Sequence, residues 1–425
     1  MTLEGLHQRF LKHPGVSTDS RNIPEDGMFF ALKGPTFNGN AFAADALEKG
    51  AAYAVVDDPK VVSGKRTILV PDVLKCLQEL ATFHRHYCKA RIVALTGSNG
   101  KTTTKELIAS VLSKKFRTVA TKGNLNNHIG VPLTLLRLRA DTEMAVVEMG
   151  ANHQGEIAFL CSLAQPDFGY ITNFGKAHLE GFGGFEGVIR GKSEMYAYLK
   201  AAGKTIFMNA DDPIQRDLLG SYIHKVGFST ENPQYFRIAN LGARPFVELE
   251  ADGVRMATRL IGAYNFPNCA AATLMGKYFN VPLPLIREAL EAYEPENNRS
   301  QIIQRDGLRI ILDAYNANPT SMTAALTQLE QLDAPRKIAI LGDMFELGEA
   351  AAAEHLAIGQ LALSKGFDQV VLVGENFHAG GLPTDRFRNF DELSAYLASN
   401  SLQGPATVLI KGSRGMALER VLKLL

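Results

Sequence analysis

Residues 95–106 read LTGSNGKTTTKE, a glycine-punctuated run with a lysine and three threonines behind its second glycine. Gly97 and Gly100 carry no Cβ, so the backbone can turn tightly and bring its N–H groups, those of Ser98 and Asn99 included, against phosphate oxygens. Lys101 adds a point charge for the terminal phosphates, and Thr102 offers a hydroxyl to the Mg²⁺ that accompanies a nucleotide. Thr103 and Thr104 are expected to help cap the following helix. The loop reads as a short G-S-N-G-K-T rather than G-x-x-x-x-G-K-[ST], because Leu95 stands where the first glycine would fall. The competing reading is an ordinary Gly-Asn turn before a helix.

Further candidates sit at the ends of apolar runs. Glu148 ends the run 145–149, where a carboxylate can reach a metal held by Thr102; a solvated strand-end glutamate is the alternative, and Asn152, His153 and Glu156 nearby favour function. His178 follows the run 169–172, although a lone histidine is more often structural. Lys192 falls at the expected start of an amphipathic helix, where a solvated lysine is the simpler reading. Asn268 opens an alanine-rich helix and has the donor and acceptor to read an adenine edge, or simply caps that helix. Asp313 begins Asp-Ala-Tyr-Asn-Ala-Asn-Pro, which suits ribose hydroxyls or a plain turn.

The elements that must carry these residues are legible as periodicities. The run 92–96 predicts a buried strand, and Leu107, Ile108, Val111 and Leu112 a helix behind the loop. Strand-like runs at 145–149, 169–172 and 205–208 alternate with helical segments, predicting a largely parallel, doubly wound sheet with ligands at the strand C-termini. Residues 27–32 and 52–56 read as strands and 42–49 as a helix of a small α/β module. A β-rich stretch at 235–260 precedes a helix at 267–279. A polar hinge at 294–298 separates these from strand-like runs at 308–313, 337–341, 369–373 and 407–410. The fold class is thus α/β, in three domains at 1–87, 88–299 and 300–425.

Composition sets outer limits. With 425 residues the chain exceeds one ordinary core. Its 45 basic and 44 acidic residues leave a formal charge of +1, so no overall field attracts nucleic acid or an anionic membrane. Cys76, Cys88, Cys161 and Cys269 lack metal-ligand spacing and make no disulfide framework, which fits a reducing cytoplasm. No apolar stretch has the length of a signal peptide core or a membrane span, so a soluble protein without membrane insertion is expected.

Together, TGSNGKTTTKE, MGANHQGEI, KAHLEGFG, DAYNANPTSM, LGDMFELG and KGSRGM resemble the Mur ligases, the ATP-dependent amide-bond-forming enzymes of peptidoglycan synthesis, over essentially the whole chain. The motifs are most similar to the branch that joins D-alanyl-D-alanine to UDP-N-acetylmuramoyl-tripeptide, and the Asp-Asn-Pro-Arg signature of the neighbouring branch is absent. The resemblance implies a UDP-sugar-binding N-terminal domain, a central P-loop ATPase domain and a Rossmann-like C-terminal domain. It implies UDP-substrate contacts from Ser20, Arg21, Lys33 and Gly34, and further substrate contacts from Asn126, Asn127 and Asn316. The run 37–40, Phe-Asn-Gly-Asn, departs from the Asp-Gly-His of many members.

The same resemblance implies ATP and Mg²⁺ as cofactors. Lys101 would meet the β/γ-phosphates, Thr102 and Glu148 one Mg²⁺, and Glu148, His178 and a carbamylated Lys192 a second. Asn268, Arg299 and Asp313 would reach the nucleotide, with catalysis by a monomer that closes its domains over an acyl phosphate. A phosphoryl-transfer kinase and a non-enzymatic nucleotide switch are the rival classes, separable by whether phosphate release depends on the dipeptide.

Overall fold

The computed structural model describes residues 2–296 and 298–425; Asn297, inside the expected hinge, lies outside them. Among the described residues, three larger sheets of four, seven and six strands follow one another along the chain, with two small antiparallel sheets besides. The first is parallel, in the order Val16–Ser17, Met28–Phe30, Tyr53–Val56 and Thr67–Leu69. Its strands are short, and the two inner ones are apolar and covered: all three residues of Met28–Phe30 and all but Tyr53 of Tyr53–Val56 are buried.

The helix Val73–Cys88 leads from this module into the central sheet. Asp72 starts it by accepting from the Lys75 N–H at 2.8 Å, and Lys89 ends it in a left-handed conformation. Against it packs the helix Leu3–Lys12, where His7 Nε2 lies 3.0 Å from His84 Nδ1, and His84 Nε2 lies 2.9 Å from the Leu138 carbonyl. Because that carbonyl only accepts, His84 carries its proton on Nε2 and takes a hydrogen bond from His7 at Nδ1. Burial lowers the pKa of both rings. The unfolded chain therefore binds more protons below the ordinary histidine value of 6.5, and stability is lost as pH falls through that value. Thermal melts from about pH 7.5 down to about pH 5.5 should show a falling Tm with a shallower slope in His7→Phe; equal slopes would exclude the pair as the cause.

The central sheet has seven parallel strands in the order Phe236–Arg237, Lys225–Ser229, Thr205–Asn209, Phe168–Ile171, Arg91–Thr96, Met144–Glu148 and Thr118–Ala120. Arg91–Thr96 is buried at every position but the first, as a strand covered on both faces must be. Its neighbours are Phe168–Ile171 on one side and Met144–Glu148 on the other, so the order reverses there and a crevice opens at the strand C-termini. The β-rich stretch forms a separate antiparallel sheet of Ala239–Ala243, Phe246–Ala251 and Val254–Ile261. It leads into the helix Phe266–Tyr278, which packs on Lys101–Ser113.

Beyond the hinge, Gln301–Arg305 pairs antiparallel with Leu308–Asp313, and the parallel strands Ala406–Lys411, Lys337–Gly342, Gln369–Val373 and Asp385–Phe387 complete a six-stranded sheet. The outer strands Gln301–Arg305 and Asp385–Phe387 lack the continuous apolar run that marks the inner ones. Among the described residues no helix is long and apolar enough to cross a membrane.

Candidate active site

The glycine loop connects Arg91–Thr96 to the helix Lys101–Ser113. Gly97 at φ 142° and Gly100 at φ 76° occupy conformations that side chains disfavour, and a Cβ on Gly100 would meet the Asn268 amide at 2.7 Å. The segment after Phe168–Ile171 clamps the loop. Ser98 Oγ donates to the Gly175 carbonyl at 2.9 Å, the Asn99 N–H donates to Asn173 Oδ1 at 3.0 Å, and Thr172 Oγ1 donates to the Asn99 carbonyl at 2.6 Å. Lys101 Nζ donates to the carbonyls of Gly97 at 2.8 Å and Ser98 at 3.2 Å. Its pKa lies below that of an ordinary lysine, chiefly through burial, with the Arg299 charge acting the same way and Glu148 opposing.

Thr103 and Thr104 do not cap the helix, because they lie inside it and no side chain caps its start. Thr104 Oγ1 instead donates to Asn268 Oδ1 at 3.0 Å, while Asn268 Nδ2 donates to Asn265 Oδ1 at 2.8 Å. Asn268 thus braces the back of the loop and is not a helix cap.

Glu148 is 1% exposed at the end of Met144–Glu148. Its carboxylate accepts from Thr102 Oγ1 at 3.0 Å and from Asn126 Nδ2 at 2.8 Å, with Lys105 Nζ 4.0 Å away. Thr102 and Glu148 thereby present adjacent hard oxygens, a donor set that fits Mg²⁺. Buried Lys105 was part of the motif as read, yet only the fold brings its ammonium to the carboxylate. Asn127 lines the same space, but its Oδ1 accepts from the N–H groups of Ile129 and Gly130, so it fixes a turn.

Lys192 lies in the middle of the helix Phe185–Ala201, not at its expected start. It is 1% exposed, which excludes the solvated reading and supplies the desolvation that a carbamate-forming lysine requires. The helix packs beneath the strand ends, where Nζ donates to the Ala151 carbonyl at 3.0 Å and sits 4.9 Å from the centre of the Phe182 ring. Burial, then the charge of Lys101, push its pKa well below the ordinary lysine value, against Glu156 and Glu194. The amine is therefore biased towards the neutral, nucleophilic form.

His178 has a left-handed backbone, φ 53°, immediately before the short helix Leu179–Phe182. Its Nδ1 lies 2.5 Å from Glu346 Oε2 of the C-terminal domain, and the ring holds the Glu346 carboxyl below the usual glutamate range. Among the described residues, no three His, Cys, Asp or Glu side chains are grouped as a ready metal cluster.

The far wall comes from the hinge and C-terminal domain. The Arg299 guanidinium stacks on the Tyr315 ring at 3.6 Å, with Nε buried and without a hydrogen-bond partner among the described residues. Asp313 accepts from Lys411 Nζ at 2.6 Å and from the Ser300 N–H at 3.2 Å, and Lys411 also reaches the Asn316 carbonyl at 3.2 Å. Asn318 Nδ2 donates to Asn99 Oδ1 at 2.7 Å, tying this domain to the phosphate loop. Lys411 and Asn318 lay within recognised motifs, KGSRGM and DAYNANPTSM, but without an assigned part.

These walls enclose one cavity of about 910 Å³, lined by the phosphate loop, Glu148, His178, Asn268, Arg299, Asp313 and Asn316, with Leu74 and Gln78 at its N-terminal end. Gly97 and Lys192 lie behind the lining. Ser20, Arg21, Lys33 and Gly34 are outside the cavity: exposed Arg21 pairs with Asp19 at 2.8 Å, and Lys33 with Asp57 at 2.8 Å.

Three family models match successive parts of the chain: the Mur ligase family catalytic domain over residues 13–85, the Mur ligase middle domain over 95–276, and the Mur ligase glutamate ligase domain over 298–414. The chain belongs to the Mur ligase family. Within that family, the UDP-N-acetylmuramoyl-tripeptide--D-alanyl-D-alanine ligase of Escherichia coli is 36% identical to it, over 96% of this chain and 93% of that protein. MurF from Acinetobacter baumannii superposes with a TM-score of 0.85 at 31% identity, covering 96% of this chain and 92% of that one. MurF ligase from Thermotoga maritima, solved in complex with ADP, gives 0.83 at 27% identity, with 96% of each chain covered.

Proposed function

We propose that this protein is an ATP-dependent, ADP-forming ligase that joins D-alanyl-D-alanine to UDP-N-acetylmuramoyl-tripeptide, in the cytoplasmic synthesis of peptidoglycan precursors. The observation that carries this reading is the single cavity in which a phosphate loop, a buried Thr102–Glu148 oxygen pair and a wall from the C-terminal domain converge. The relatives' names and the ADP bound to one of them support it.

A carboxylate has no good leaving group, so the tripeptide's terminal carboxylate attacks the γ-phosphorus of ATP and ADP departs. The dipeptide amine then attacks the acyl carbon, a tetrahedral intermediate forms, and phosphate leaves with one of the former carboxylate oxygens. The N–H groups of Ser98 and Asn99 donate to Asn173, so Lys101 and the N–H groups that follow Asn99 hold the phosphates, while Arg299 and Asp313 grip the nucleotide from across the cleft. Asn268 supports the loop beside the adenine, and Asn126, Asn127 and Asn316 line the peptide path. Ser20, Arg21, Lys33 and Gly34 take the distant UDP end.

Thr102 and Glu148 would hold one Mg²⁺, and Glu148, His178 and Lys192 a second. Bound magnesium would neutralise the anions brought together and polarise the acyl phosphate. The neutral Lys192 amine can add to CO₂ and lose a proton, turning a repelling cation into a carbamate oxygen donor.

The test is phosphate release by purified protein with ATP and Mg²⁺, using tripeptides ending in diaminopimelate or in lysine. Release should require both a UDP-linked tripeptide and D-alanyl-D-alanine. Release without the dipeptide, or a phosphorylated product with no new amide, would overturn the reading.

A further inference from the structure

His178 is assigned above only as a ligand, yet its other ring nitrogen meets a residue from a different domain. Buried Nδ1 makes no aligned hydrogen bond among the described residues, and the one charged group against it is the Glu346 carboxylate, with Oε2 at 2.5 Å. Two further contacts fix this approach: the Glu180 N–H donates to the Glu346 carbonyl at 3.2 Å, and Gly348 packs against the Glu180 side chain.

The arm that carries Glu346 is anchored on its own domain. The Met344 N–H donates to His355 Nε2 at 2.9 Å, and the Phe345 N–H donates to Ser413 Oγ at 2.9 Å. Asp343 accepts from the N–H groups of Asn376 at 2.9 Å and Phe377 at 3.0 Å. Glu346 itself adopts a left-handed conformation, φ 62°, which a non-glycine residue keeps only when its surroundings enforce it.

A neutral imidazole has one N–H and one lone pair. A carboxylate at Nδ1 selects the Nδ1–H tautomer and leaves the Nε2 lone pair free for a cation. Because this carboxylate arrives from the C-terminal domain, the ring is oriented only when that domain is docked. We infer that Glu346 is a positioning residue, through which closure of the C-terminal domain sets the tautomer and orientation of His178. This rests on the reading of His178 as a ligand in the ligase site.

The test uses the full chain and the variants Glu346→Ala, Glu346→Gln and Glu354→Gln. The last removes a neighbouring interdomain ion pair, Lys176 to Glu354 at 2.5 Å, without touching His178. Nitrogen-15 NMR of histidine-labelled protein, with His178 assigned by its loss in His178→Asn, should show Nδ1–H in the wild type and a tautomer mixture in Glu346→Ala. Mn²⁺ binding in the presence of ADP, followed by electron paramagnetic resonance of the free ion, should weaken about 10–100-fold at one site in Glu346→Ala. Glu346→Gln, whose amide oxygen still accepts from Nδ1–H, should recover the tautomer and part of the affinity, and Glu354→Gln should match the wild type in both. An unchanged tautomer and Mn²⁺ affinity in Glu346→Ala, or equal changes in Glu354→Gln, would overturn the inference. Wild-type phosphate release with both peptides is scored separately, so failure of the ligase reading stays distinguishable.

Discussion

Lys192→Met is expected to lower ligase turnover by about 10³-fold or more while leaving the fold as stable as before or more so. Methionine matches the length of the lysine stem and fits an apolar site, but it can neither react with CO₂ nor offer an oxygen. The wild-type amine is 1% exposed, and its side-chain hydrogen bond goes to one carbonyl, that of Ala151. Its folded pKa is depressed, so between the folded and unfolded values the unfolded chain binds more protons and stability rises with pH. The wild type is therefore penalised increasingly as pH falls below 10.5, the unperturbed lysine value, and methionine escapes that penalty. In CO₂-free buffer the Tm advantage of the variant should be larger near pH 7 than near pH 9. Native mass spectrometry in bicarbonate should find one added CO₂ on the wild type and none on the variant. A variant that keeps its turnover would remove Lys192 from the site.

Glu148→Gln should lose turnover on a similar scale, about 10³-fold, but with the opposite effect on stability. The amide keeps the shape and one acceptor for Thr102 or Asn126, while the charge is gone. Lys105, 2% exposed and 4.0 Å away, then keeps only Glu106 at 3.6 Å as an anionic partner. A cost of about 2 kcal/mol is expected for leaving that ammonium poorly compensated, visible as a lower Tm. Two variants with similar losses of activity and opposite shifts in Tm would separate the chemistry of the site from its structural support. A rise in Tm for Glu148→Gln would show that Lys105 does not depend on this carboxylate.

The parts of the fold with strong local signals were legible in the sequence. The strand at 92–96, the turn at Gly97 and Gly100 and the apolar helix behind them form one continuous pattern, and Gln369–Val373 is apolar enough to be read with its bounds. What escaped depends on distant partners. Asn318 meets Asn99 across 219 residues, and Lys411 meets Asp313 across 98, so no periodicity reveals either contact. Periodicity alone left Lys192 as a solvated lysine at a helix start; the resemblance called for a desolvated amine, and the packing of mid-helix Lys192 beneath Ala151 and Phe182 provides it. Thr103 and Thr104 were read as caps because residue type marks capping potential, whereas the left-handed Gly100 makes the turn here. The N-terminal candidates lie outside the cavity because the small domain contributes Leu74 and Gln78 to its end, not the surface that carries Arg21 and Lys33.

Activation of the tripeptide carboxylate as an acyl phosphate is tested most directly by following its oxygens. With tripeptide labelled with oxygen-18 at the terminal carboxylate, and with ATP, magnesium and D-alanyl-D-alanine, each turnover should transfer one labelled oxygen to inorganic phosphate and keep the other in the new amide carbonyl. Phosphate released without label, alongside an amide product, would contradict transfer through an acyl phosphate.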